Sequence, residues 1–408
     1  MFELKKQHTS SWISMPISSI GTVVGGGTPS TKNPEYYDGN IAWITPKDLS
    51  NIRERYISRG ERSISQDGYD NSGAQMLPAG TVLFSSRAPI GYIAIAKNEL
   101  CTNQGFKSII PKSDVCVSEF LYYLLRYYKQ DIESIASGTT FMEVSGSAMK
   151  NFIVRMPDVS TQKKIASILS SLDEKIELNH KINQNLEAQA QAIFKSWFAD
   201  FEPFQNGKFI DSELGPIPDG WRVGALSDIA EITMGQSPRG ESYNENSYGV
   251  VFYQGRAEFS DRFPIRRLFT TEPKRMGAAG DVLLSVRAPV GDMNIASESC
   301  CIGRGLAAIH AKNDFTSFIF YTMRALKPEL DKYNGEGTVF GCINKEALNA
   351  QKIIIPPISI ISEFEKKVQP MDRRYLAGAE ENKRLMQLRD TLLPRLMSKE
   401  IDASEIEI

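Results

Sequence analysis

Along residues 161–198, apolar side chains recur at a seven-residue step: Ile165, Leu172, Leu186 and Ile193, with Leu169, Ile176, Ala190 and Trp197 four residues after each. The stretch contains neither Gly nor Pro. That 4-3 alternation is the seam of a long helix lying against another long helix. At about 1.5 Å per residue the helix would run roughly 55 Å, longer than a small domain is wide. Asn179 and Asn183 interrupt the seam. From Ile361 to Leu396 a second seam reads Phe364, Val368, Met371, Tyr375, Leu385, Leu392 and Leu396. An offset of 199 carries Ile165, Leu169, Leu172, Leu186 and Ile193 onto Phe364, Val368, Met371, Leu385 and Leu392, and Asn183 and Asp173 onto Asn382 and Asp372. Two rods related by a constant offset can pair, and a polar seam residue fixes register. The alternative is two helices packed on separate cores; a phase held over five heptads argues for pairing.

The segments before each rod repeat as well. Trp12 opens the first and Trp221 the second, each followed at the same distance by a proline, Pro29 and Pro238. The run from Gly80 to Gly91 matches that from Gly280 to Gly291 at eight of twelve positions, both with an Arg-Ala-Pro break. Cys101 aligns with Cys301, Gly105 with Gly305, Gly138 with Gly337 and Pro157 with Pro356. The chain is therefore a doubled α+β domain plus rod. In the first copy, strands are predicted at 41–45, 80–86, 91–96, 106–110 and 152–156, and a helix at 118–130. The Gly25–Pro34 run is loop, Lys47 to Arg62 a charged surface stretch, and 200–220 a Pro/Gly-rich linker. If the rods run antiparallel, they carry two heads to opposite ends and hold them at a set spacing.

Composition narrows the class. The chain has 408 residues, 41% hydrophobic, with a formal charge of -2, enough for two or three cores. No apolar run is long enough to cross a bilayer, and Met1-Phe-Glu-Leu-Lys-Lys lacks a signal-peptide core. Five Cys, an odd number with no C-x-x-C pair, predict reduced thiols in a cytoplasmic protein. Residues 1–156 carry 16 Lys+Arg against 14 Asp+Glu, and residues 217–356 carry 16 of each. A chain that bound DNA alone by neutralising phosphates would be more basic. Either DNA is not the partner or other subunits supply positive charge.

Catalytic patterns fail. Pro157-Asp158 with Asp173-Glu-Lys175 fits a nuclease spacing, but those carboxylates belong on adjoining strands and Asp173 lies mid-rod. Asn33-Pro-Glu-Tyr36 resembles a methyltransferase Asn-Pro-Pro-Tyr loop with Glu in place of Pro, and no Gly-rich cofactor loop accompanies it. With only His8, His180 and His310, no hydrolytic triad forms, and no Cys/His spacing suits zinc. His310, ending a strand-like run, is the histidine placed to enter a core. The chain reads as a binding and scaffolding protein.

The runs Gly26-Gly-Thr-Pro-Ser-Thr-Lys-Asn-Pro-Glu-Tyr-Tyr and Ile41-Ala-Trp-Ile-Thr-Pro-Lys-Asp-Leu, the doubled Arg-Ala-Pro loops, Ile168-Leu-Ser-Ser-Leu-Asp-Glu-Lys-Ile-Glu-Leu-Asn and Leu388-Arg-Asp-Thr-Leu-Leu-Pro-Arg-Leu resemble the specificity subunit of type I restriction-modification enzymes. The likeness covers nearly the whole chain. The family's Pro-Pro-x-x-Glu-Gln rod entry is Pro157-Asp-Val-Ser-Thr-Gln here, and diverges after Pro356-Pro357. The resemblance implies two similar α/β target recognition domains, 1–157 and 221–357, separated by long antiparallel helices, 158–199 and 358–398, with a linker at 200–220 and a tail at 399–408. It implies that each head reads half of an asymmetric split site in double-stranded DNA. The rods would set the gap and dock modification (methyltransferase) subunits, and restriction (motor-nuclease) subunits would join for cleavage. The chain itself would be non-catalytic and bind no cofactor; S-adenosylmethionine, ATP and Mg belong on the partners. The rival reading is an interaction scaffold with no DNA role.

Two heads that read different half-sites cannot use the residues they share. Arg87, Arg287, Pro89, Pro289, Gly138, Gly337, Thr139 and Thr338 are therefore scaffold or sequence-blind phosphate contacts, with the two arginines favoured as ties for their own turns. Base reading belongs to the stretches that do not align. In head one these offer Lys32, Lys47, Arg53, Arg55 and Arg59; in head two Arg239, Tyr253, Gln254, Arg256, Arg262, Arg266 and Arg267. Arg to guanine and Gln to adenine are the expected edge contacts. The helix-pairing and subunit-docking set is Ile165, Leu169, Leu172, Ile176, Asn183, Leu186, Ile193, Phe364, Val368, Met371, Asn382, Leu385 and Leu392.

Overall fold

Two uninterrupted helices of 40 residues, Val159–Phe198 and Ile358–Met397, carry the seam residues. They belong to a computed structural model that describes residues 12–50, 52–138, 142–335 and 341–406. Thr139, Gly337, Thr338 and His8 lie outside the described residues. The chain divides into two compact units, residues 1–180 with 380–408, and residues 181–379. Each unit thus holds one globular head and one half of each long helix.

In the first unit the two helical halves run antiparallel: stepping back from Asn179 to Asp173 moves the partner forward from Asn382 to Arg389. The second unit repeats this, with Asn183 against Tyr375 and Phe194 against Phe364. The seam asparagines are buried and make the same bond in each unit. Asn382 Nδ2 donates to the Ile176 carbonyl at 3.2 Å, and Asn183 Nδ2 to the Tyr375 carbonyl at 3.2 Å. Residues 176 and 375 are themselves equivalent under the offset. Asn179 Nδ2 adds a 2.9 Å bond to Asn382 Oδ1. An amide on an apolar seam is stable only where its partner is met, which selects one register.

The seam is also continuous with the head cores. Ile165, Leu169, Leu393 and Leu396 share a core with Phe84, Phe120 and Leu124 of the first head. Phe364, Val368, Ala190 and Phe198 do the same for the second, with Ile193 and Met371 packed against them. Pairing and packing on a head core are thus both present. Gln162 explains the first rod entry: buried, it donates to the Val115 and Pro157 carbonyls at 2.9 and 3.0 Å and accepts from Val117 N at 3.1 Å. Its counterpart by offset, Ile361, is 4% exposed and purely apolar, yet the second helix still begins at Ile358.

Both heads are built on one plan. In the first, a sheet orders Gly21–Gly25, Lys107–Pro111, Val82–Ser86, Ile90–Ala96 and Tyr56–Ile57. In the second, Ala230–Met234, Leu306–Ala311, Val282–Ser285 and Met293–Ile295 stand in the same order. A second sheet in each holds a parallel pairing, Trp43 with Cys101 and Phe252 with Cys301. The chain enters each head beside the strand that leaves it, Ile13–Pro16 on Ile153–Met156 and Arg222–Ala225 on Lys352–Ile355. The helices Ser118–Tyr127 and Thr316–Ala325 bury aromatic faces against the sheets.

Two expectations change. The 200–220 stretch is not a bare linker: Phe209–Ile210 pairs with Ile217–Pro218, and Trp221 is ringed by Phe198, Phe201 and Phe204 at 5.0–5.9 Å. Stacked apolar rings outweigh the Pro/Gly content there. His310 does not enter a core. Its strand turns it outward, half-exposed, with Nδ1 2.7 Å from Asp281 Oδ1, and that carboxylate raises its pKa. The tail is packed, with Ala403 buried in the first core.

Phe364 is fully buried among Phe194, Trp197, Phe198 and Phe318. Phe364→Ala is expected to cost about 3–5 kcal/mol in urea unfolding. Burial pushes the Glu365 carboxyl up to about 7, while it accepts from Phe318 N at 2.8 Å. Because its folded pKa lies above its unfolded one, its contribution is full in acid and fades as pH rises to about 7. Across that window the wild type should lose on the order of 2–3 kcal/mol relative to Glu365→Gln, read from unfolding midpoints.

Candidate nucleic-acid interface

Each head gathers a set of loops at one edge of its sheets. In the first, Gly27 N donates to the Thr102 carbonyl at 2.9 Å, Ser86 N to Gly105 at 2.7 Å and Val144 N to Ser86 at 3.0 Å. In the second, Gln236 N donates to Ile302 at 3.0 Å, Val286 N to Gly305 at 3.0 Å and Ile343 N to Val286 at 3.1 Å. Gly26 and Gly235 are needed where loops touch: a Cβ would lie 2.1 Å from the Asn103 or Gly303 carbonyl. The Arg-Ala-Pro turns are held by Ser85 and Ser285, whose hydroxyls donate to the Pro89 and Pro289 carbonyls at 2.8 Å.

Among the described residues the side-chain bonds within these turns come from the two serines, and the arginines reach elsewhere or to solvent. Arg87 reaches Glu143 on the neighbouring loop at 3.6 Å, where Lys107 also pairs at 2.8 Å and, by that hydrogen bond, lowers the Glu143 pKa. The second head has Cys342 where the offset places Glu143, and Arg287 is exposed with no ion pair among the described residues.

Of the candidate readers, three are withdrawn. Tyr253 is fully buried on its strand and cannot reach a base edge. Arg55 is 5% exposed; its Nε reaches Glu177 at 3.2 Å and its Nη2 reaches Glu174 at 3.3 Å, both on the first long helix. Arg262 is 2% exposed, 2.5 Å from Asp372 on the second helix and over the Phe320 and Tyr375 rings at 4.5 and 4.8 Å. The two arginines are equivalent, since their carbonyls accept from Ile95 N and Ile295 N at 2.7 and 2.8 Å. They tie each head to a rod. Sequence could not separate them from surface arginines, because their partners lie more than a hundred residues away.

Lys32, Arg53, Arg59, Arg239 and Gln254 are exposed. Lys47 pairs with Glu61 at 2.7 Å, Arg256 with Asp292 at 2.7 Å, Arg267 with Glu258 at 3.0 Å, and Arg266 with Glu298. Exposed pairs are worth about 0–1 kcal/mol, so Lys47, Arg256 and Arg266 stay available to a polyanion, whereas Arg267 neutralises the buried Glu258. Asp173 and Asp372, on the rods, each bind a tyrosine and an arginine, which leaves no nuclease centre. Tyr123 and Arg389 hold the first at 2.6 Å each, and Tyr321 and Arg262 the second at 3.0 and 2.5 Å. Among the described residues no group of His, Cys, Asp or Glu could hold a metal, and no helix is long and apolar enough to cross a membrane.

The family model for the type I restriction modification DNA specificity domain matches residues 9–188 and again 218–374. The chain belongs to that family. The specificity subunit of the type I restriction enzyme MjaIX of Methanocaldococcus jannaschii is 37% identical over 97% of this chain and 94% of its own length. The HindI specificity subunit of Haemophilus influenzae is 28% identical over 87% of this chain and 89% of its own. The crystal structure of a type I restriction-modification S subunit from M. genitalium has the same fold, with 17% identity, 96% and 98% coverage and a TM-score of 0.61. The chain is a non-catalytic DNA-specificity subunit, and the scaffold reading without DNA is not favoured.

Arg262→Ala removes a buried guanidinium from Asp372, which keeps the Tyr321 hydroxyl, and should cost roughly 1.5–3 kcal/mol by thermal or urea unfolding. Arg266→Ala, removing an exposed pair, should change stability by less than about 1 kcal/mol in the same assay. Equal losses would mean that the Arg262 pair is not the clamp described.

Proposed function

We propose that each head reads one half of an asymmetric, bipartite site in double-stranded DNA, that the paired helices set the unread gap, and that the same helices dock modification subunits which methylate adenine. Restriction subunits join that assembly for cleavage. The observation that carries the reading is the doubled loop framework: equivalent backbone bonds hold the same loops in both heads, while the exposed side chains around them differ. One scaffold with two unlike surfaces suits two unlike half-sites. S-adenosylmethionine, ATP and Mg belong to the partner subunits, and the compartment is the cytoplasm.

Near-neutral charge fits this division of labour. Each captured phosphate needs a cation, and a chain of formal charge -2 has few to spare. The modification subunits then supply much of the grip on the backbone, and this chain supplies the base contacts.

The domain limits proposed are 1–157 and 221–357 for the heads, 158–199 and 358–398 for the rods, 200–220 for the connector and 399–408 for the tail. The exposed set Lys32, Lys47, Arg53, Arg59, Arg239, Gln254, Arg256, Arg266 and Arg267 remains the proposed contact surface, with Thr139 and Thr338 as contacts shared by both heads.

Co-expression with the modification subunits, followed by methylome sequencing, should return one methylated-adenine motif with two unlike halves and a fixed gap. Replacing Gln254, Arg256, Arg266 and Arg267 together by Ala should relax one half only, and unchanged preference would move the second reading surface elsewhere. Deleting one heptad from a rod should shorten the gap or abolish assembly; methylation at the old spacing would refute the helices as a ruler.

A further inference from the structure

One exposed position sits on the shared framework rather than in the stretches that fail to align. Between Cys101 and Phe106 the first head reads Thr-Asn-Gln-Gly; between Cys301 and Leu306 the second reads Ile-Gly-Arg-Gly. The turn is fixed by equivalent backbone bonds in both heads. Asn103 N donates to Ile44 at 3.0 Å and Gly303 N to Tyr253 at 2.8 Å; Phe106 N donates to Asn103 at 3.3 Å and Leu306 N to Gly303 at 2.9 Å. The Gly105 and Gly305 carbonyls accept from the Arg-Ala-Pro strands, and the Thr102 and Ile302 carbonyls from the Gly-rich loops. Residues 101, 102, 105 and 106 are buried, as are 301, 302, 303 and 306. The side chain at 104 or 304 is exposed at the tip of each turn.

That side chain is Gln in one head and Arg in the other. A hydroxyl from the Gly-rich loop buttresses both: Thr28 Oγ1 donates to Gln104 Oε1, and Ser237 Oγ accepts from Arg304 N at 3.4 Å. Arg304 forms no ion pair among the described residues, unlike Arg256, Arg266 and Arg267 in the same head. A base reader needs a rigid mount and an open hydrogen-bonding edge; Arg304 has its whole guanidinium open, and Gln104 keeps its Nε2 donors and a second Oε1 lone pair beside the Thr28 bond. Gln carries paired hydrogen-bonding atoms suited to the adenine edge in the major groove, and Arg to the guanine edge.

Resting on the bipartite-site reading, we infer that Gln104 and Arg304 are equivalent specificity-determining residues, Gln104 reading an adenine in one half-site and Arg304 a guanine in the other. The framework sets where each turn meets the groove, and one side chain sets the base.

The test uses the full chain assembled with its modification subunits and a randomised plasmid library, read by methylome sequencing. Arg304→Ala should lower preference for one guanine, in one half-site, roughly tenfold to a hundredfold. Gln104→Ala should do the same for one adenine in the other half, and Arg304→Gln should shift the preferred base at the guanine position. A wild-type complex that yields no two-part motif overturns the bipartite reading itself. A wild-type motif left unchanged by both Ala variants overturns this inference alone, as does loosening of the same half-site by both. An assembled variant that methylates nothing also counts against it, because losing one bidentate contact weakens one position rather than all.

Discussion

A carboxylate on each long helix, Asp173 buried and Asp372 17% exposed, ties head to rod within each unit. Asp173 and Asp372 stand at equivalent points, each taking a tyrosine hydroxyl from the head's aromatic helix and an arginine guanidinium. A charge removed from water must find such partners or cost several kcal/mol. The head helix and the rod are therefore locked in one relative position within each unit. The arginines come from different places. Asp173 is met by Arg389 on the antiparallel helix, and Asp372 by Arg262 from the head's own unaligned stretch. The first head uses Arg55 for the matching tie, but aims it at Glu174 and Glu177.

This arrangement separates constancy from variation. Core strands, the Ser-held Arg-Ala-Pro turns and the Gly-dependent loop contacts recur in both heads with the same bonds. The stretches that do not align form different local structure: Tyr56–Ile57 lies parallel on Ile95 and Ala96 in one head, and Tyr243–Asn244 pairs with Leu268–Thr270 in the other. Even these stretches are not free, because each sends one buried arginine to a rod. Surface chemistry can then change on either head while the mount stays rigid.

Much of this was legible in the sequence because repetition supplied a second reading of every pattern. The seven-residue seam marks both helices, and the offset of 199 marks their kinship and the equivalence of Asn183 and Asn382, though not the carbonyls those amides meet. What escaped were contacts between distant residues of unexceptional type. Nothing local marks Arg55 or Arg262 as interior, or Trp221 as the centre of an aromatic cluster in a Pro-rich stretch. Gln104 and Arg304 are hard to single out for the opposite reason: they lie in a run that aligns, and differ within it at one exposed position.

The first compact unit is completed by the last thirty or so residues of the chain. Leu393, Leu396 and Met397 fill its core, and Arg389 neutralises its buried Asp173. During synthesis the amino-terminal head therefore emerges with an apolar flank uncovered and no guanidinium on Asp173 until residues 380–408 have been made. Closure across more than two hundred residues is slow compared with local folding. The nascent chain has to keep that flank from other molecules while the second head is being made, and a ribosome that stops early leaves a product whose front half is unfinished.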